Sequence, residues 1–155
     1  TIEIDKEGTI INFTHIIMSH FFFRHGCYNI SQLGMFWKRA IFDKVGYLDE
    51  SFHAKMDVEW LIRVYEAGLK VRRINRNLGA IRIYPETKTA QGGAIWKRDA
   101  DALKDKYHGQ YLPENNKLYQ PFFKLYKLLN GCKLRNAIRK WQYCGKPFTA
   151  YKENL

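Results

Sequence analysis

The chain has 155 residues, 46% of them hydrophobic and 15% aromatic, enough apolar surface for one buried core and too much for a disordered segment. Its formal net charge of +11 points to acidic partners, and no apolar run approaches the ~18 residues needed to cross a bilayer. Cys27, Cys132 and Cys144 are widely spaced, with no Cys-x-x-Cys pair and no histidine at metal spacing, which reads as free thiols in a reducing compartment.

In chain order, a hairpin is predicted around Glu7-Gly8, then an apolar, aromatic stretch over residues 13–23 with helical character. A polar loop over 24–31 leads to a strand near 34–37 and a short helix over 39–45. The acid-rich loop Asp49-Glu50-Ser51-Phe52-His53 then enters an amphipathic helix over 57–67, in which Trp60, Leu61, Val64 and Tyr65 recur at helical spacing and Gly68 marks the stop. Residues 69–74 and 80–84 alternate as strands do, and 87–93 are small and polar, as a segment that orders over a ligand would be.

From about residue 94 the pattern is helical. Trp96, Ala100, Leu103 and Tyr107 form one apolar stripe, Phe122, Leu125, Tyr126 and Leu129 a second, and Leu134, Ala137, Ile138 and Trp141 a third. Lys117, Lys124, Lys127, Lys133, Arg135, Arg139, Lys140 and Lys146 accompany the last two, and Glu114 is the only acid between Pro113 and Pro147. Such stripes either pack on the rest of the chain or lie on an anionic membrane surface with the cations at the headgroups.

Asp57 falls in the first turn of the predicted helix, where backbone N–H groups and the helix dipole keep a carboxylate ionised near its reference pKa of about 3.9. A fixed carboxylate there suits a general base, and it equally suits an ordinary helix cap. Asp99-Ala100-Asp101 is literally an Asp-x-Asp, yet residues two apart on a helix point about 200° apart and cannot converge on one cation. The pair reads as a solvated face, and the same geometry argues against Asp57 and Glu59 as a metal pair. His15, His20 and His25 recur at a spacing that suits neither a helix face nor a metal site.

Several of these segments occur in a telling order: Ile4-Asp5-Lys6-Glu7-Gly8-Thr9-Ile10-Ile11, then Gln32 through Met35-Phe36-Trp37-Lys38-Arg39 to Val45-Gly46 and Asp49-Glu50. Met56-Asp57-Val58-Glu59-Trp60-Leu61-Ile62-Arg63, Leu78-Gly79-Ala80-Ile81-Arg82 and Lys88-Thr89 follow. Over residues 2–90 the chain resembles the second half of family 2 glycosyltransferases, the inverting nucleotide-sugar enzymes of the GT-A fold. The resemblance implies an α/β fold in two parts. Residues 1–93 would form the C-terminal half of a GT-A-type domain, a partial mixed sheet with flanking helices, and 94–155 a basic amphipathic helical extension. The chain would then be a fragment of a longer enzyme, inactive and prone to self-association without its nucleotide-binding half, because sheet edge and apolar surface would stand open.

The resemblance also implies roles. Asp57 would be the catalytic base, with Gln32, Trp37, His53 and Glu59 on the acceptor side. Arg82, Lys88 and Thr89 would serve the donor diphosphate or its lid, although Tyr84 stands where the family often has a histidine. A divalent cation, Mg or Mn, would act in the intact enzyme with its ligands mostly outside this chain, and no metal ligand is assigned within it. The implied setting is cell-surface polysaccharide assembly from the cytoplasm, peripheral to the inner membrane, with a nucleotide-sugar donor, a glycan or lipid-linked acceptor and no nucleic-acid partner. The competing reading is a basic membrane-surface or nucleic-acid-binding module without catalysis, although no helix-turn-helix, zinc or RNP-like signature supports the latter.

Overall fold

The computed structural model describes residues 1–14, 18–87 and 92–151. It is a mixed α/β structure. Strands β1 (Ile2–Ile4), β2 (Ile10–Phe13) and β3 (Ala80–Arg82) form a sheet in the order β2-β1-β3, with β2 antiparallel and β3 parallel to β1. The predicted hairpin forms as β1–β2, and the Asp5 carboxylate accepts the Thr9 N–H at 2.7 Å to close its turn. Ile2, Ile4, Ile10 and Phe13 make a small buried cluster against which Tyr143 and Tyr151 pack.

The described residues also form six α-helices: α1 (His20–Arg24), α2 (Ala40–Val45), α3 (Met56–Glu66), α4 (Ala94–Lys106), α5 (Gln120–Leu129) and α6 (Cys132–Tyr143). Three expectations change. The helical reading of 13–23 narrows to α1, because Phe13 belongs to β2. Residues 34–37 form no strand: Gly34 ends a 3-10 turn at Gln32–Gly34, and 35–37 follow it. Residues 69–74 are likewise unpaired, since their alternation finds no neighbouring strand among the described residues. Residues 15–17 of the 13–23 stretch, His15 among them, lie outside the described residues.

The pivot of the fold is α3. Val58, Trp60, Leu61, Ile62, Val64 and Tyr65 are all buried, so the helix is enclosed on most of its circumference. Leu61, Ile62 and Tyr65 join Phe23, Phe52, Leu103 and Tyr107 in the main core, while Trp60 and Val64 pack with Val45 on another side. Helix α4 therefore shares its core with the first ninety-odd residues. The tail also closes the sheet: the Ile10 N–H donates to Lys146 O and the Gly145 N–H to Ile10 O, both at 2.9 Å, which covers the free edge of β2.

The start of α3 is capped from a distance. Lys55 at the N-cap position makes no side-chain cap bond; instead Asp99 of α4 accepts the N–H groups of Ala54 at 2.6 Å and Lys55 at 3.2 Å. Burial by itself would raise the Asp99 carboxyl, but the Ala54 N–H and the Arg98 guanidinium outweigh it and hold the group below its ordinary value. The reading of Asp99 and Asp101 as one solvated face is thus corrected: Asp101 is exposed and paired with Lys97, whereas Asp99 is 1% exposed. Their helical spacing does send them apart, and only one direction leads to water. Replacing Asp99 with Ala should cost about 2 kcal/mol, the upper range for losing a cap, because a buried and a part-buried donor lose their acceptor. Asp101→Ala should leave the melting temperature within a degree or so, as expected of an exposed pair; equal losses in the two variants would overturn the capping role.

Candidate active site

Asp57 occupies the first turn of α3, and its Oδ1 accepts the Val58 N–H at 2.8 Å. No side chain among the described residues bonds its carboxylate. Burial is the dominant influence and raises its proton affinity, with the nearby Glu114 charge acting the same way. The Val58 N–H and the Lys55 ammonium oppose this without cancelling it. The expectation of an ordinary carboxyl at a helix start is corrected in direction: the dipole is present, but desolvation outweighs it.

The groups around Asp57 come from distant stretches. Lys55 is 4% exposed, its Nζ lies 2.6 Å from Glu114 Oε2, and it sits 4.9 Å over the Trp96 ring. The Tyr28 hydroxyl is pushed far up by burial and by the charges of Glu114 and Asp57. Glu114 reaches this point because the 110–115 loop seats on the turn after α1. The Leu112 N–H donates to Arg24 O at 2.9 Å and the Asn115 N–H to Gly26 O at 2.8 Å. Gly26 makes the seat possible: its φ is +71°, and a Cβ there would stand 1.9 Å from the Pro113 carbonyl oxygen. Sequence reasoning missed Tyr28, Lys55, Trp96 and Glu114. The isolation of Glu114 among cations was the one available signal.

A cavity of about 200 Å³ runs along α3, where Trp60, Leu61 and Val64 line it together with Met35, Trp37 and Ile41. Asp57 does not line it. Yet Asp57, Trp60, Leu61 and Val64 fall within about 100° on the helix, so the carboxylate stands on the same face one turn nearer the N-terminus. Lys70, Arg72, Arg73 and Arg76 contribute to the cavity wall and give an apolar, aromatic floor a cationic side. That combination suits a ligand carrying both a ring and a negative charge.

The other sequence-predicted residues are scattered. Gln32 is exposed in the 3-10 turn, and His53 is exposed in the loop before α3. Trp37 packs on Trp60 with ring centroids 4.5 Å apart, so its face is largely taken by the core. Arg82 donates to the Asp5 and Lys6 carbonyls and ties β3 to the hairpin turn. Lys88 and Thr89 lie outside the described residues.

Glu59 does not face a substrate, and that assignment is corrected. It is fully buried, and its Oε1 accepts the Tyr107 hydroxyl and Lys106 Nζ, each at 2.8 Å, while its Oε2 accepts Arg63 Nη2 at 2.8 Å. Arg63 also donates to the Val45 and Tyr47 carbonyls, and Lys106 pairs with Asp49 at 2.8 Å. The network fastens α3 to the ends of α2 and α4.

The described residues supply no cation site at Asp57. The Glu114 carboxylate near it is already paired with the Lys55 ammonium, which leaves Asp57 as a single free carboxylate, short of the several oxygen ligands a divalent ion takes. Among the described residues no group of three or more His, Cys, Asp or Glu side chains is placed to hold a metal. In comparison with known proteins, no family model, curated protein or solved structure matches the chain.

Proposed function

We propose that the chain supplies the acceptor side of an inverting nucleotide-sugar glycosyltransferase, with Asp57 as general base. The observation that carries this reading is a half-buried carboxylate of raised proton affinity in the first turn of the central helix, where the resemblance to family 2 enzymes puts the base. A carboxyl raised by burial is a better base than a solvated one, and the Lys55 charge beside it opposes the rise.

In the proposed reaction an acceptor hydroxyl oxygen attacks the anomeric carbon of the donor sugar. Its proton passes to Asp57, the new C–O bond forms, and the bond to the nucleotide diphosphate breaks with the electron pair leaving on the diphosphate. The Lys55 ammonium favours the charged form of Asp57, and no step runs through a metal ion. Arg72, Arg73 and Arg76 line the cavity, and guanidinium groups suit a phosphate-bearing ligand. The setting that fits is cell-surface polysaccharide assembly at the cytoplasmic side of a membrane, with a glycan or glycolipid acceptor. No helix of the described residues is long and apolar enough to cross that membrane.

A single displacement inverts the anomeric configuration. The glycosidic bond made by the proposed enzyme should therefore have the configuration opposite to the donor's, read from the anomeric proton coupling of the product. Retention would remove the role given to Asp57. The second reading, a basic binding module without catalysis, draws on the cationic tail and requires that the intact protein release no nucleotide from any sugar donor.

A further inference from the structure

The last two helices offer a surface that the catalytic reading leaves unused. Helix α5 turns its Phe123 side inward: Phe123 is 2% exposed, and Phe123 and Tyr126 pack on Phe22 at 5.2 and 4.9 Å. Phe122, Leu125 and Leu129 fall within about 60° on its other side and are all exposed. Helix α6 repeats the arrangement. Cys132 is buried and Tyr143 packs on Phe13, while Leu134, Ile138 and Trp141 stand in the solvent, Trp141 at 86% exposure. The two helices are joined by Asn130-Gly131 alone, and Gly131 at φ +66° makes that tight reversal.

Charge decides what covers these stripes. Lys124, Lys133 and Lys140 are exposed and pair with no carboxylate among the described residues, and no acid occurs from Lys117 to Lys146. On α6, Lys133 and Lys140 border the Leu134–Ile138–Trp141 stripe on one side. A second copy laid on this face would bring like charges together. A nucleic acid would satisfy the lysines and leave Leu125, Leu134 and Ile138 in water. An anionic bilayer meets both needs, because headgroups pair with the lysines while the stripes enter the acyl boundary. Helices of this length lie in that interface and do not cross it.

We infer that the α5–α6 hairpin docks the protein on an anionic phospholipid surface through Phe122, Leu125 and Leu129 of one helix and Leu134, Ile138 and Trp141 of the other. The inference stands apart from the catalytic proposal, since it uses none of the residues around Asp57.

The test is co-sedimentation of the protein with vesicles of phosphatidylcholine alone or mixed with phosphatidylglycerol, at low and high salt, with tryptophan quenching by brominated acyl chains. Binding should require phosphatidylglycerol and persist in part at high salt, because apolar burial is not screened. Replacing Phe122 and Trp141 with Ser should weaken it about a hundredfold or more, against about thirtyfold for Lys133→Gln with Lys140→Gln. Both variants should melt with the wild type, as these side chains are exposed. Quenching should disappear in Trp141→Phe. Failure to bind the mixed vesicles at low salt would overturn the inference. So would binding abolished by salt and indifferent to Phe122 and Trp141, tighter binding to duplex DNA than to vesicles, or a dimer held together by these stripes.

Discussion

On the proposed role of Asp57, Asp57→Asn is expected to cut turnover by about a hundredfold or more, the scale of losing a general base, and to raise the stability of the fold at neutral pH. The two effects share a cause. Burial raises the Asp57 carboxyl above its ordinary value, so the folded state holds this proton more tightly than the unfolded chain. Between the unfolded pKa, near 3.8, and the raised folded value, unfolding releases a proton, and stability falls as pH rises through that window. Above it the loss is complete. Asparagine keeps an acceptor for the Val58 N–H and has no charge to desolvate. The variant should therefore gain on the wild type in melting temperature from acidic toward neutral pH while donor KM changes little. Full activity in Asp57→Asn, with Glu114→Gln dead, would move the base to Glu114. A lower melting temperature at neutral pH would show that the charge is fully compensated in the folded state.

What the sequence revealed and what it hid divide along one line, the range of the interaction. Helix α3 was legible because its signals are local: Trp60, Leu61, Val64 and Tyr65 repeat at helical spacing, and Gly68 follows the last turn. The β1–β2 hairpin was legible for the same reason, with Asp5, Gly8 and Thr9 inside a single turn. Residues 69–74 show where this stops. Their alternation is that of a strand, but a strand needs a neighbour, and residues 70–74 instead line the cavity. Asp99 illustrates the same limit at a site. The spacing told that Asp99 and Asp101 diverge, but not that two N–H groups at the start of α3, more than forty residues earlier, would draw Asp99 inward. Glu114, Tyr28 and Gly26 were hidden in the same way, because the loop carrying Glu114 is placed by a backbone contact no local pattern records. The tail was half legible. The apolar stripes were plain, and which side of α5 is buried depends on Phe22, a hundred residues away.

Glu59→Gln should lower stability by about 3 kcal/mol, the low end for breaking a buried ion pair, and the melting temperature by roughly 10 °C for a chain of this size. The low end applies because Arg63 and Lys106 are 23% and 40% exposed and regain water once the charge is gone. Burial alone would raise the Glu59 carboxyl, but Arg63, Lys106 and the Tyr107 hydroxyl outweigh it and hold the group below its ordinary value. Its sign is thus opposite to that of Asp57, two residues away. The unfolded chain takes up the Glu59 proton first, so the stabilisation is complete above the unfolded pKa, near 4.5, and is lost as pH falls through the lower folded value. The gap in melting temperature between wild type and Glu59→Gln should be full at neutral pH and close on acidification, whereas the gap between wild type and Asp57→Asn should close on acidification with the opposite sign. A Glu59→Gln penalty unchanged by acid would mean that geometry, not charge, fastens α3 to α4. On the proposed role of Asp57, turnover in Glu59→Gln, measured well below its melting point, should fall far less than in Asp57→Asn, because Glu59 has both oxygens committed to protein and none left for a substrate.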